Sequence, residues 1–225
     1  MSRRLQLLWA GLNLAVLAFG ALETWTDTYC WSGGSCADEL AAPLRRIGWG
    51  GATRRLLLVN SAWLVAYGLR ERRYAVSAGC TAVLALAYWP LGAWLRQQLA
   101  PDYYTVLRGE QVGEGYRGET IAQAGLAIGP YLLQSGRDAQ APERRLALAG
   151  LGKLDYQAAV PLLDSIARNA QEPVFIRADA LQALGRISSP AARRAVQQFE
   201  SGAAHDLSAR EALSTVRYWE KYDDE

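Results

Sequence analysis

Histidine occurs once in this chain of 225 residues, methionine once and cysteine three times. Lysine is confined to Lys153 and Lys221, so the basic side chains are nearly all arginine. Each scarcity removes a class of function. His205 stands alone in the polar loop "SGAAHDLS", far in sequence from every cysteine. A metal site therefore fails on ligand count, and a His-based nucleophilic triad has one residue to draw on. No catalytic, metal-binding or cofactor-binding residues are expected, and no cofactor. There is no phosphate-binding P-loop either: "GLGKL" at 150–154 lacks the upstream glycine and the following Ser or Thr. "GEQVGEGYRG" at 109–118 is Gly-rich without a preceding strand and reads as a link. A net charge of +2 with no basic stripe argues against a nucleic-acid partner.

What is present is distributed unevenly. All of the eight tryptophans except Trp219 precede residue 95. The second half is charged and rich in Ala and Leu. Two differently solvated halves are the simplest explanation.

The first half carries three long runs with little charge. "LQLLWAGLNLAVLAFGAL" at 5–22 has none, and the run from Tyr74 to Leu95 has none. The third, "LLLVNSAWLVAYGL", is shorter and closed by arginine pairs that can snorkel. Uncharged length of this kind predicts transmembrane helices at about 5–25, 54–70 and 74–95, in a membrane domain 1–98. Residues 26–53 then form a connecting loop containing Cys30 and Cys36. Within that loop, residues around Leu40, Leu44 and Ile47 read as a short interfacial helix. Arginines flank the spans equally on both sides, so charge does not orient them.

The cysteines offer a tie-break. Cys30 and Cys36 bracket Ser32, Gly33, Gly34 and Ser35, a flexible turn that suits a small-loop disulfide. A redox-active pair and two free thiols are the other readings. A disulfide would place the loop in an oxidising space. The chain would then be a multi-pass protein of a bacterial inner membrane, with its C-terminal half in the periplasm. Loop cysteines between spans resemble vitamin K epoxide reductase-like membrane oxidoreductases, but the membrane-embedded Cys-x-x-Cys of that family is absent, and Cys80 has no partner.

The second half repeats. "RRLALAGLGKL" begins at Arg144, "RADALQALGRI" at Arg177 and "REALSTVRYWE" at Arg210, a regular step along the chain. Between the first two copies Ala147 matches Ala180, Leu151 matches Leu184 and Gly152 matches Gly185. Each unit reads as two helices, the second opened by Pro161 or Pro190. Helix pairs that cannot bury an apolar face alone must stack on their neighbours. The three arginines at one repeat position read as bonds between repeats.

Residues 158–187, "AAVPLLDSIARNAQEPVFIRADALQALGRI", resemble HEAT repeats in the short bacterial form of phycobilisome-lyase-type HEAT-like proteins. Val160, Pro161, Leu162, Arg177, Ala180, Ala183, Leu184, Gly185 and Ile187 carry the likeness. The resemblance implies an α-solenoid over 119–225 that offers a surface to another protein. The expected fold class is thus all-α: N-terminal transmembrane helices, a link at 99–118, and a short α-solenoid of HEAT-like helix pairs. The expected function is a non-catalytic, membrane-anchored adaptor or scaffold. Its partners would be another protein, in particular a membrane complex, and the lipid bilayer. The alternative is a membrane thiol–disulfide oxidoreductase, or a subunit of one, using Cys30 and Cys36.

Overall fold

The computed structural model describes residues 3–31, 37–70, 74–109, 119–203 and 206–223. Among these residues every regular element is a helix. The chain divides into two units, Met1–Gln111 and Val112–Glu225.

The first unit holds α1 (Arg3–Trp31), α2 (Ala37–Arg70) and α3 (Tyr74–Gly109). α1 packs on α2, and α2 on α3. Helices occur where spans were expected, but the membrane reading is overturned. Among the described residues, no helix is long and apolar enough to cross a membrane. The physical reason is that an uncharged run is not always an apolar one. The first contains Gln6 and Asn13, the second contains Asn60 and Ser61, and the third is diluted by Ser77, Thr81, Tyr88 and Pro90. The multi-pass inner-membrane placement, and the periplasmic side inferred for the second half, fall with the spans.

Polar pairing ties these helices together. Trp9 Nε1 donates to Asn60 Oδ1 at 2.8 Å, and Asn60 Nδ2 donates to Asn13 Oδ1 at 2.8 Å. Asn60 Nδ2 also reaches the carbonyl of Leu56 at 2.7 Å, and Asn13 Nδ2 that of Trp9 at 2.9 Å. Arg46 of α2 grips both carboxylate oxygens of Asp102 of α3, at 2.9 and 2.6 Å. The helices also run past their expected ends. Residues 37–53, read as a loop with a short helix around Leu40, Leu44 and Ile47, are all helical as the first half of α2, and Pro43, Gly50 and Ala52 there are buried. Residues 99–109, read as link, extend α3, because Tyr103, Val106 and Leu107 bury one face at helical spacing.

The second unit holds α4 (Glu119–Ala124), a 3-10 turn at Gly125–Ile128, and α5 (Gly129–Arg137). These are followed by α6 (Arg144–Lys153), α7 (Val160–Arg168), α8 (Val174–Arg186), α9 (Pro190–Gly202) and α10 (Leu207–Asp223). α5 packs on α6, α6 on α8, α7 on α8 and α9, and α8 on α10. The core is aliphatic and alanine-rich: Leu148, Leu151, Leu163, Ala178, Ala180 and Leu184 are almost fully buried. Ser189 caps α9 by accepting from the Ala192 N–H at 3.1 Å, with Pro190 opening the helix. Asp155, with φ of 51°, turns the chain after α6, and its carboxylate accepts the Ser188 N–H at 2.7 Å. That bond joins the same turn in consecutive copies.

Gly152 and Gly185 occupy equivalent repeat positions but have different surroundings. A Cβ on Gly152 would stand 2.7 Å from Ala183 Cα, where α6 and α8 touch backbone to backbone. A Cβ on Gly185 would meet nothing within 4 Å. Gly152→Ala is therefore expected to destabilise the protein by about 1–3 kcal/mol through overpacking. Gly185→Ala, inside a helix with open space around it, should stabilise by about 0.5–1 kcal/mol. Urea midpoints of the two variants check this, and equal shifts would contradict the packing described.

Candidate functional site

The repeated arginines sit where each helix pair meets the next. Arg144, on α6, is buried; its Nε donates to the Gly136 carbonyl at 3.1 Å, at the end of α5. Its two terminal nitrogens donate to the two carboxylate oxygens of Glu172, both at 2.7 Å, in the loop before α8. Arg177, on α8, is 1% exposed and makes the same kind of clamp. Its Nε donates to the Ala167 carbonyl at 2.8 Å, at the end of α7. Nη1 donates to the hydroxyl of Ser208, at the start of α10, and Nη2 lies 3.8 Å from Asp206, just before it. The Ser208 hydroxyl in turn donates to Asp206 at 3.0 Å. The Arg177 guanidinium also lies 5.6 Å from the Phe199 ring centroid.

The common design is one guanidinium with two tasks. It satisfies a carbonyl left over at the end of the preceding helix. It then reaches forward to an acidic residue leading into the next copy. Arg210 does neither: it is exposed, and among the described residues its side chain has no acceptor. The third arginine shares the spacing but not the environment.

The reason lies in α10. Trp219, near its end, lies 5.8 Å from the guanidinium of Arg145 at the start of α6. Continued stacking would place Trp219 level with Arg186, at the far end of α8. α10 thus packs on α8 while its C-terminal end reaches Arg145 of α6, and Ala209, Ala212 and Val216 are the residues it buries.

This contact builds a surface cluster that the sequence did not single out. Arg145 lies under Trp219 and 5.3 Å from the ring of Phe175, while its Nε and Nη2 donate to Asp179 at 2.7 and 3.2 Å. The Arg145 side chain is 55% exposed and Phe175 48%. Asp179 beneath them is buried, and burial pushes its carboxyl up, with the Arg145 hydrogen bond opposing. For Arg145 the Asp179 hydrogen bond raises the pKa and holds the charge on. A hint of this cluster was available: Trp219 is the one tryptophan of the second half.

The other sequence candidates are not brought together. His205 and Cys36 lie outside the described residues, as do the side chains of Cys30 and Cys80. The proposed Cys30–Cys36 pairing is thus left as a reading of the sequence. Among the described residues no group of three or more His, Cys, Asp or Glu could hold a metal ion. No family model, curated protein or solved structure matches the chain.

The clamps separate the repeated arginines by their effect on stability. Arg177→Ala strands the Ala167 carbonyl and leaves a buried void, a loss of about 2–4 kcal/mol in urea unfolding. Arg210→Ala should change stability by no more than about 0.5 kcal/mol. The pH dependence has a definite sign. The hydrogen bond from Arg144 holds the Glu172 carboxyl below its ordinary value, burial opposing and the Arg144 charge assisting. A depressed carboxyl contributes stability above its unfolded pKa and loses it as pH falls through the folded one. Wild-type stability should therefore drop on acidification below the ordinary glutamate range, and Glu172→Gln should flatten that part of the profile. An unchanged profile would contradict the clamp.

Proposed function

We propose that this chain is a non-catalytic adaptor whose second unit docks a partner protein, and that its helix pairs are HEAT-like repeats. The observation that carries the reading is the Arg145 cluster. An exposed guanidinium lies near two aromatic rings and is fixed by a buried carboxylate, on a stack clamped at Arg144 and Arg177. Arginine and aromatic side chains held in place on a rigid surface are the residues that dominate protein–protein binding energy. The HEAT-like reading is supported by the repeat step, the paired helices and the clamps at one repeat position.

The first unit adds a second argument for a binding role. Leu14 is 70% exposed, and Leu86 and Trp89 are each 76% exposed. Large apolar side chains left uncovered in numbers mark interaction surfaces. No observation favours the thiol–disulfide alternative.

Site-specific photo-crosslinking in cells tests the proposal. A crosslinking residue at position 175 should give a discrete adduct with another protein. The same residue at position 193, on the exposed face of α9, should not. The double variant Arg145→Ala/Asp179→Asn, which removes the cation without stranding a buried carboxylate, should remove the adduct while keeping cooperative urea unfolding. No adduct at 175, or the same adducts at both positions, would sink it.

A further inference from the structure

Arg54 and Arg96 meet at the seam between α2 and α3. Arg54 Nε lies 3.7 Å, and Arg96 Nη1 4.0 Å, from the point where a Cβ on Gly92 would stand. Gly92 lies on α3, so the two cations face a stretch of its backbone that carries no side chain. Arg54 Nε is buried and has no hydrogen-bond partner. Its Nη2 makes one long contact, 3.4 Å to the Tyr88 hydroxyl, and its guanidinium lies 5.6 Å from that ring's centroid. Buried Tyr103 closes the same region. Burial pushes its phenol up, and the charges of Arg54 and Arg96 oppose this, which puts both cations within electrostatic reach of one ring.

Among the described side chains of this unit, nothing neutralises this pair. Among its described side chains the sole carboxylate is Asp102, and both of its oxygens are held by Arg46. Two half-buried like charges repel, and an orphaned Nε–H adds a desolvation penalty. A tetrahedral oxyanion removes both costs at once. It can take the Nε and Nη edge of Arg54 as a fork, the Arg96 guanidinium as a second donor, and the Tyr88 hydroxyl as a third.

We propose that Arg54, Arg96 and Tyr88, beside Gly92, form a binding site for a phosphoryl group. The group is either free phosphate or the phosphate of a lipid headgroup, and one experiment separates the two. Titration calorimetry of the full chain with inorganic phosphate is the first arm. The second is co-sedimentation with phosphatidylcholine vesicles, with and without phosphatidic acid. Saturable phosphate binding, weakened at least tenfold in both Arg54→Gln and Arg96→Gln, supports the site and identifies the free anion. Phosphatidic-acid-dependent sedimentation lost in both variants, without phosphate binding, supports it and identifies the headgroup.

Two milder variants guard against misfolding. Gly92→Ala meets both arginines at ordinary van der Waals distance, so it should fold as wild type yet bind several-fold more weakly. Arg54→Lys keeps the charge but loses the fork, and should bind between wild type and Arg54→Gln. Binding in neither arm, or binding indifferent to all four substitutions, overturns the proposal.

Discussion

A guanidinium that closes one helix pair and grips the next holds the second unit in register. Arg144 and Arg177 each take a carbonyl from the helix behind and an acidic or hydroxyl group from the copy ahead. An arginine this deeply buried is tolerated because its donors are used in fixed, planar geometry. Removing it would leave a helix-end carbonyl without water or partner. The clamp is thus a constraint on the backbone as well as an ion pair. The Asp155 to Ser188 bond and the backbone approach at Gly152 repeat the same step by different means.

The clamps also explain where the stack stops being regular. Arg177 takes Ser208 and Asp206 at the start of α10, and so fixes where that helix begins. Its direction is set by what it can bury. Ala209, Ala212 and Val216 pack inward, and Trp219 returns to Arg145. The result is a cation, two aromatic rings and a buried carboxylate assembled from α6, α8 and α10. A regular third copy could not have made that surface. The proposed docking surface lies where the repeat geometry breaks.

This pattern defines what the sequence could and could not reveal. The arginine step was legible because helical periodicity and identity at one offset are local properties. The acidic partners were legible in principle: Glu172 and Asp206 stand nearly the same distance beyond Arg144 and Arg177. The fate of Arg210 was not, since it depends on the direction of α10, which no local pattern encodes. The Arg145 cluster was hidden for the same reason. In the first half the error was of another kind. Absence of charge is not apolarity: Asn13 and Asn60 within those runs form a hydrogen-bonded network, and Arg54 and Arg96 share a seam at their ends. Helices were read correctly as helices and wrongly as apolar enough to span a membrane.

The claim that neighbouring helix pairs are coupled through these guanidinium clamps is tested most directly by a double-mutant cycle on Arg144 and Glu172. The stabilities of Arg144→Ala, Glu172→Ala and the double variant are compared with wild type by urea unfolding. The account predicts a coupling energy of about 1–2 kcal/mol, within the range for residues in direct contact in one network. Additive effects, agreeing within about 0.3 kcal/mol, would show that the two residues act independently and would contradict it.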